Sequence, residues 1–435
     1  MSKNPIEFID LFCGAGGLSV GFEKSDFRSI FANDYDEFAC DTYTLNHPQS
    51  HVYKGDVVDL SAKMIFEMTE RSFIPLVIGG PNCQGVSLRG KRDPNDPKNK
   101  MFHHFKRLIE ELQPEWFVME NVPGLLHRHN RELITDIFDE FHGIGYECGG
   151  EVLLAADYGV PQLRYRFFLI GNRVGQPILF PNATHQCPIQ FDEPNSKLQP
   201  FLNGSNGNHI ERPNWLTVFD AIGDLPPIPN GGGKEETDYQ DLKGQILTPY
   251  QSMVREDSHK LYNHVCHRSS ESNIEMISHI PSGKNWKSIP LDLRPERFQR
   301  VALKDHTTTY GRLTWDSPSR TITTYFNNIS AGAFTHPEQH RGIGVREGAR
   351  LQSFPDDFRF RGSLARQYRQ VGNAVPPLLA SNIAMILHKM MIGDLSKLSQ
   401  AHEAAVVYNS RKRELEFRRP VQGMRFNLDK YLVRS

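Results

Sequence analysis

The stretch DLFCGAGGLSVGF, residues 10–22, decides the class of fold to which this chain belongs. The apolar run IEFIDLF that leads into it is typical of a buried strand, and the glycine-rich turn opens a helical pattern. Glycines at such a turn let the backbone approach a ligand, and a helix N-terminus favours polar or anionic groups. By itself the turn is a weak signal, because a tight connection between a strand and a helix also needs glycine.

Short apolar runs and helical patterns alternate through residues 1–180. Strands are predicted at FRSIFAND, VYKGDVVDL, PLVIGG, EWFVMENV, YECGGEVLLAA and RYRFFLIGN. Helices are predicted at EFACDTYTLN, MFHHFKRLIEELQ and RELITDIFDEFHGIG. This alternation predicts an α/β domain with a mostly parallel sheet.

The remaining chain divides into three predicted regions. Residues 181–310 are rich in Pro, Asn, Gly and Ser, which favours a smaller, irregular binding domain. Regular patterns return in residues 311–395, which we expect to rejoin the first domain. There VREGARLQSF is predicted to be an amphipathic helix, and VPPLLASNIAMILHKMM a helix that packs on the first domain. Residues 396–435 form a charged tail to which we assign no structure.

Composition limits the class of protein. The chain has 435 residues and a formal net charge of −1, so its net charge does not indicate a nucleic-acid partner. Its 6 cysteines include no CxxC pair, which favours a reduced cytoplasmic compartment and argues against a metal site. No long uncharged apolar run and no signal-peptide pattern are present, so we expect neither a membrane span nor secretion.

Acidic residues follow the second and third predicted strands. Asp34 lies about twenty residues beyond the glycines, where a carboxylate can bind ribose hydroxyls. Asp56 follows the third strand, where a carboxylate could meet an adenine amino group. The pattern predicts a nucleoside-bearing cofactor but leaves open which one, and a nicotinamide cofactor fits the glycine turn equally well.

Two further reactive side chains follow the fourth and fifth predicted strands. Cys83 lies in GGPNCQGVS (79–87), and Glu120 lies in MENVPGLL. In open α/β sheets, ligands bind at the carboxyl ends of the strands. A thiol and a carboxyl at adjacent strand ends together suggest a nucleophile and an acid/base group in one pocket.

Seven motifs occur in a fixed order along the chain. They are DLFCGAGG, GGPNCQGVS, MENVPGLL, DYGVPQLRYR, RLTWDSPSRTITT, REGARLQSFPDDF and QVGNAVPP. The set resembles the DNA (cytosine-5) methyltransferase family, in its bacterial restriction–modification form. The resemblance covers most of residues 6–180 and 310–390, whereas residues 181–310 match only in position, where that family carries its target-recognition domain. It implies a Rossmann-like, S-adenosylmethionine-dependent methyltransferase domain.

The resemblance also implies a mechanism. Cys83 would add to C6 of a cytosine that has been flipped out of double-stranded DNA. Glu120 would hold or protonate N3, and Arg164 and Arg166 would orient the cytosine and the adjoining phosphate. C5 would then take a methyl group, after which loss of the C5 proton and of Cys83 would release 5-methylcytosine.

The remaining expected site residues also come from the resemblance. The expected S-adenosylmethionine contacts are Phe12, Gly14, Gly16, Asp34, Tyr35, Asp56, Val57, Pro81, Met101, Asn373 and Val375. The expected DNA contacts are Gln84, Ser87, Arg89, Lys91 and Arg92, within a mobile loop over residues 84–100. One position departs from the family: Asn82 stands where the family usually has the proline before the catalytic cysteine, which puts the rate in doubt more than the reaction type.

We therefore expect a monomeric, sequence-specific methyltransferase of double-stranded DNA, paired with a restriction endonuclease and free of metal. Three alternatives stay open at this point. A tRNA cytosine-5 methyltransferase is disfavoured by the length of residues 181–310. A DNA-binding protein with weakened catalysis is suggested by Asn82 but disfavoured by the intact Cys83, Glu120, Arg164 and Arg166. A nicotinamide oxidoreductase leaves those four residues unexplained.

Overall fold

The computed structural model describes residues 5–81, 101–127, 130–188, 212–239, 246–300, 308–394 and 400–418. The chain divides into two compact units, the first from residues 1–158, 165–213 and 377–435 and the second from residues 159–164 and 214–376. The second unit thus includes residues 311–376, which the sequence analysis assigned to the catalytic domain. The functional domain boundaries stay predictions.

The described residues contain fifteen strands and twelve α-helices. The strands are β1 Ile6–Leu11, β2 Phe27–Asp34, β3 His51–Lys54, β4 Leu76–Gly79, β5 Trp116–Asn121, β6 Glu147–Leu154, β7 Gln162–Leu163, β8 Tyr165–Asn172, β9 Leu179–Pro181, β10 Gly233–Thr237, β11 Leu261–Val265, β12 Ser319–Arg320, β13 Ala401–Glu403, β14 Val406–Asn409 and β15 Glu414–Phe417. The helices are α1 Gly17–Glu23, α2 Glu37–Asn46, α3 Ala62–Thr69, α4 Met101–Leu112, α5 Arg131–Gly143, α6 Val218–Ile222, α7 Pro249–Arg255, α8 Glu271–Ser278, α9 Glu296–Gln299, α10 Val345–Leu351, α11 Leu364–Asn373 and α12 Pro377–Met391.

The first unit is built on a nine-stranded sheet in the order β15-β14-β6-β8-β5-β4-β1-β2-β3. Strands β3, β2, β1, β4 and β5 pair in parallel. Strands β8 and β14 pair antiparallel with both of their neighbours, so the other seven strands run in one direction. This is the predicted α/β fold with a mostly parallel sheet, and its half β3-β2-β1-β4-β5 has the Rossmann-like order.

Apolar side chains cover both faces of the central strands, as parallel strands require. On one face, Phe117 of β5 stacks on Phe141 of α5 with 4.2 Å between ring centroids. Elsewhere in this unit, α1 packs against α12. There a Cβ on Gly21 would lie 2.4 Å from the Cβ of Ala380, so glycine allows the close approach of the two helices. The predicted packing of the last helix on the first domain is confirmed.

Part of the charged tail, for which the sequence predicts no structure, forms strands. Strands β14 and β15 extend the sheet beyond β6, and β13 pairs with β9. These strands are 3 to 4 residues long, and β15 carries two glutamates, so the apolar runs are too short to be recognised without their partners.

The prediction that α10 is amphipathic was wrong, because all seven of its residues are buried. Its charged side chains are satisfied inside the second unit. Arg341 donates two hydrogen bonds of 2.7 Å to Glu347, and Arg350 donates to both carboxylate oxygens of Asp356, at 2.8 and 2.6 Å. Burial is the largest single effect and raises the pKa of Glu347, but the charge and hydrogen bonds of Arg341, together with His336 and His264, outweigh it and hold this pKa well below its usual range.

Among the residues that the structure describes, no helix combines the length and the apolar character needed to cross a bilayer.

Candidate functional site

The expected site residues of the first unit follow strands that end at one edge of the sheet. Leu11 pairs with Asn33 and with Gly79, and Gly79 pairs with Met119. The next residue along each of these parallel strands therefore lies at the same edge. This register aligns the starts of the segments that carry the glycine turn, Asp34, Gly80 and Glu120.

The turn after β1 depends on left-handed backbone conformations, at Phe12 (φ 60°), Gly14 (φ 54°) and Gly16 (φ 95°). The two glycines differ in their surroundings. A Cβ on Gly16 would lie 2.6 Å from the Nε2 atom of His47, so packing within the protein excludes a side chain there. A Cβ on Gly14 would meet no described atom within 4 Å, so the space beside Gly14 is open to a ligand.

Asp34 is tied directly to this turn. Its Oδ2 accepts a hydrogen bond of 2.9 Å from the backbone N–H of Gly14, and its Oδ1 accepts one of 2.9 Å from Asp36. Burial raises the pKa of Asp34, and these backbone donors oppose the shift. The adjacent Tyr35 is 70% exposed, so its ring has a large face available for contact.

Asp56 and Val57 lie just after β3, and Met101 lies at the start of α4. Asp56 is exposed and caps a short 3₁₀ turn by accepting a 3.0 Å hydrogen bond from Val58 N–H. Val57 is buried, and its carbonyl accepts a hydrogen bond of 3.1 Å from Arg107 of α4. Met101 is the half-buried first residue of α4. Contacts of these residues with a cofactor stay predictions.

Glu120 and Arg166 form an ion pair in the first unit, with 2.7 Å between Arg166 Nε and Glu120 Oε1. Burial lowers the pKa of Arg166, and the charge of Glu120 opposes this effect. A Cβ on Gly80 would lie 3.1 Å from Glu120 Oε2, so glycine leaves room for the carboxylate. The pair therefore presents a carboxylate of fixed orientation beside the backbone that leads toward Cys83.

Asn121 positions that backbone, a role that is not among the predictions from the sequence. Its Nδ2 donates a 3.0 Å hydrogen bond to the Pro81 carbonyl, and its Oδ1 accepts one of 2.9 Å from Val122 N–H. Asn121 is only 5% exposed. Its place directly after Glu120 was the available signal, but the contact with Pro81 depends on the neighbouring strand.

Arg164 belongs to the second unit and is 1% exposed. Its guanidinium donates to three backbone carbonyls, those of Ile322 at 2.7 Å and of Gly372 and Ala374 at 3.0 Å each. In this arrangement Arg164 joins two segments of the second unit, and its expected contact with a cytosine stays a prediction.

Asn373 is exposed at the end of α11, and Val375 is 8% exposed.

Several expected residues lie outside the described residues. These are Asn82, Cys83, Gln84, Ser87, Arg89, Lys91 and Arg92. Within the described ranges, no cluster of three or more His, Cys, Asp or Glu side chains has the arrangement of a metal site.

The sequence is similar to several bacterial enzymes over most of its length. It is 34% identical to the Type II methyltransferase M1.HphI of Haemophilus parahaemolyticus, covering 88% of this chain and 87% of that one. It is 32% identical to the Type II methyltransferase M.AgeI of Thalassovita gelatinovora, covering 86% and 97% of the two chains. The fold is similar to that of a DNA modification methyltransferase encoded within an E. coli prophage, with a TM-score of 0.66, 25% identity, and coverage of 89% and 99%.

The family model for C-5 cytosine-specific DNA methylases matches residues 6–389, which include most of both halves of the predicted catalytic domain. This family implies the use of S-adenosylmethionine and action on double-stranded DNA. These findings and the α/β fold described above exclude the alternative of a nicotinamide oxidoreductase. The chain belongs to the C-5 cytosine-specific DNA methylase family and is a DNA cytosine-5 methyltransferase.

Proposed function

We propose that this enzyme methylates C5 of a flipped cytosine in double-stranded DNA through a covalent adduct with Cys83. The observation that carries the proposal is the ion pair of Glu120 and Arg166, located beside the backbone of Gly80 and Pro81. Cys83 follows Pro81 by two residues, so a nucleophile and an acid/base group originate from adjacent strand ends.

The proposed reaction begins with addition of the Cys83 thiolate to C6 of the ring. A C6–S bond forms, and the electrons of the C5–C6 double bond become available at C5. Glu120 stabilises the negative charge that develops on the ring by holding a proton at N3. Arg166 keeps the Glu120 carboxyl group oriented. After C5 has gained the methyl group, loss of the C5 proton re-forms the double bond and expels Cys83 as a thiolate.

The first unit fits the cofactor that the family implies. Gly14 offers an open space beside a left-handed backbone turn, and the carboxylate of the half-buried Asp34 is held against that turn. We propose that Asp34 accepts hydrogen bonds from the ribose hydroxyls and that the exposed Tyr35 and Asp56 contact the adenine. When bound, S-adenosylmethionine supplies an electrophilic methyl group and leaves as S-adenosylhomocysteine.

The proposed biological role is protection of DNA from a cognate restriction endonuclease. Relatives at 32% and 34% identity are Type II methyltransferases, and each similarity extends over most of both chains. We propose that residues 181–310 select the target sequence and that the enzyme acts as a monomer. Target selection by these residues and the monomeric state are both expectations from the sequence.

Bisulfite sequencing of DNA from cells that express the protein tests the activity and reveals the target site. Resistance of the same DNA to endonucleases that cut this site tests protection. A 5-fluorocytosine duplex tests the covalent step, because its C5 cannot lose a proton and the adduct on Cys83 should accumulate.

The matched variants are Cys83→Ser, which should lose methyl transfer and trapping, and Cys148→Ser, which should keep both. Cys148 is a suitable control because it is a free thiol on β6, outside the residues proposed to react, to bind the cofactor or to select the target. Turnover by Cys83→Ser, or an active wild-type protein that forms no trapped species, would contradict the covalent mechanism.

A further inference from the structure

A chain of buried hydroxyl groups lies next to the glycine turn of the first unit, residues 12–16. Ser19, in the first turn of α1, donates a hydrogen bond of 2.6 Å to Oδ2 of Asp10. The Tyr43 hydroxyl of α2 lies 2.7 Å from Ser19 Oγ and 2.8 Å from Ser29 Oγ on β2. Each of these four residues is at most 1% exposed. Tyr43 is therefore fixed at its hydroxyl, and the proposed mechanism uses none of the hydroxyl groups.

Tyr43 also contacts the glycine turn itself. A Cβ on Gly16 would lie 2.9 Å from Cδ2 of Tyr43 and 2.6 Å from Nε2 of His47, so the Gly16 backbone rests on these two rings. The ring centroids of Tyr43 and His47 are 4.2 Å apart. His47 is held in turn by α1, because its Nδ1 lies 2.7 Å from Oε2 of Glu23. Side chains of α1 thus fix both of the α2 rings that support the turn.

The glycine turn has a strained backbone that depends on such support. Phe12 carries a side chain yet has a φ of 60°, and left-handed conformations of this kind persist only where surrounding contacts determine them. The hydrogen bond from Gly14 N–H to Asp34 fixes one part of the turn. At Gly16 the two rings of α2 limit the space into which the backbone can move. These rings therefore help to set the shape of the turn.

We propose that Tyr43 is a positioning residue for S-adenosylmethionine. Its hydroxyl, held by Ser19 and Ser29, keeps the ring against Gly16 and thereby keeps the glycine turn in the shape that receives the cofactor. Tyr43 acts through the turn and not by touching the cofactor. A turn that is already ordered binds more tightly than one that must be ordered on binding, because ordering costs free energy. This inference rests on the proposed cofactor site beside Gly14.

Tyr43→Phe tests the inference, because it removes the hydroxyl and keeps the ring. Isothermal titration calorimetry of the full-length protein measures the binding of S-adenosylmethionine and of S-adenosylhomocysteine. Loss of the buried hydrogen bonds should raise both Kd values by roughly threefold to tenfold. The KM for the cofactor should rise with them, whereas kcat at saturating cofactor and the KM for DNA should stay within about twofold.

Tyr146→Phe is the matched control, because it removes another buried tyrosine hydroxyl from the first unit. The Tyr146 hydroxyl donates a hydrogen bond of 2.6 Å to the Pro114 carbonyl, and Tyr146 is 1% exposed. Its ring packs against Phe117 of β5, with 5.4 Å between the centroids. Urea unfolding should show a loss of stability in both variants, but cofactor binding should weaken in Tyr43→Phe alone. The comparison separates a positioning role from a general loss of stability.

Ser19→Ala removes the other partner of the same contact. If Tyr43 acts through Ser19, the increases in Kd of the two single variants should not multiply in the double variant, and increases that multiply overturn this route. Equal cofactor affinity in the wild type and Tyr43→Phe overturns the inference, as does an equal loss of affinity in Tyr146→Phe. A wild type that binds neither S-adenosylmethionine nor S-adenosylhomocysteine overturns the proposed cofactor site itself.

Discussion

Arg166 on β8 and Glu120 on β5 meet across two antiparallel strands, with 2.7 Å between Arg166 Nε and Glu120 Oε1. Both side chains are 13% exposed. The partial burial strengthens their attraction, and the planar guanidinium restricts the orientation of the carboxylate. Arg166 therefore determines how Glu120 is presented, in addition to any contact of its own with the substrate.

Replacing Arg166 should slow the methyl-transfer step more than it weakens cofactor binding. Arg166→Ala removes a donor that orients Glu120, and we expect a loss in kcat of roughly 10²–10³-fold. Arg166→Lys keeps the charge but loses the planar fork, so its kcat should lie between those of the wild type and Arg166→Ala. Single-turnover assays with labelled S-adenosylmethionine measure the step. Equal rates for all three proteins would contradict a positioning role for Arg166.

Asn121→Ala should lower kcat by about tenfold, because the Pro81 carbonyl loses a buried donor and such a loss costs about 1–3 kcal/mol. The Kd for S-adenosylmethionine should change little. Asn121→Asp is the matched variant, since it keeps the size of the side chain but cannot donate when ionised. Both variants should be slow in a methyl-transfer assay with saturating cofactor. A fast Asn121→Asp enzyme would mean that the hydrogen bond to Pro81 has no part in the rate.

The two glycines of the turn should respond differently to alanine. Gly16→Ala combines a φ of 95° with a contact of 2.6 Å, so it should lower the free energy of unfolding by about 3 kcal/mol or more. Gly14→Ala meets only the backbone strain, about 1 kcal/mol, but places a methyl group in the proposed cofactor space. Urea unfolding and cofactor titration separate the two effects. Unchanged cofactor affinity in Gly14→Ala would remove Gly14 from the proposed site.

Asp10 should make stability depend on pH. It is 1% exposed, its Oδ2 accepts a 2.6 Å hydrogen bond from Ser19, and burial raises its pKa from 3.8 to about 8. The folded chain therefore binds an additional proton between these two values, and its stability falls as pH rises through that window. Asp10→Asn cannot ionise and should flatten the fall.

Urea unfolding at about pH 5, 7 and 9 measures this difference. The exposed Asp59→Asn variant should follow the wild type. If Asp10→Asn and the wild type lose stability in parallel, Asp10 does not titrate in this window.

Restoring the family proline, as Asn82→Pro, should change kcat by less than about fivefold. Where the native φ is compatible, proline mainly removes backbone freedom, worth ~0.4–1 kcal/mol. Single-turnover rates on one duplex measure the effect. A loss beyond about tenfold in a stably folded variant would instead give the Asn82 side chain a specific role, such as a hydrogen bond to the flipped base.

The sequence alone determined the α/β class and the family, whereas the roles of the site residues that it supplied stay predictions. Helix α2 begins and ends where the pattern predicted, and the strands before the glycine turn, Asp34 and Glu120 lie where apolar runs indicated them. These features depend on short-range periodicity and on residues within one strand–turn–helix unit. The seven ordered motifs then indicated the family, because each motif consists of characteristic residues within a short stretch of the chain.

Tertiary structure decided what charged and weakly patterned segments do. The sequence predicts an amphipathic α10, but its Arg350 is buried, and Asp224, 126 residues earlier, and Asp356 neutralise it. Strand β14 became recognisable only through its pairing with β6. Arg164 lies two residues from Arg166, yet its guanidinium binds carbonyls of the second unit. The burial of a charge or a short strand depends on partners distant in the chain, and local sequence carries no record of them.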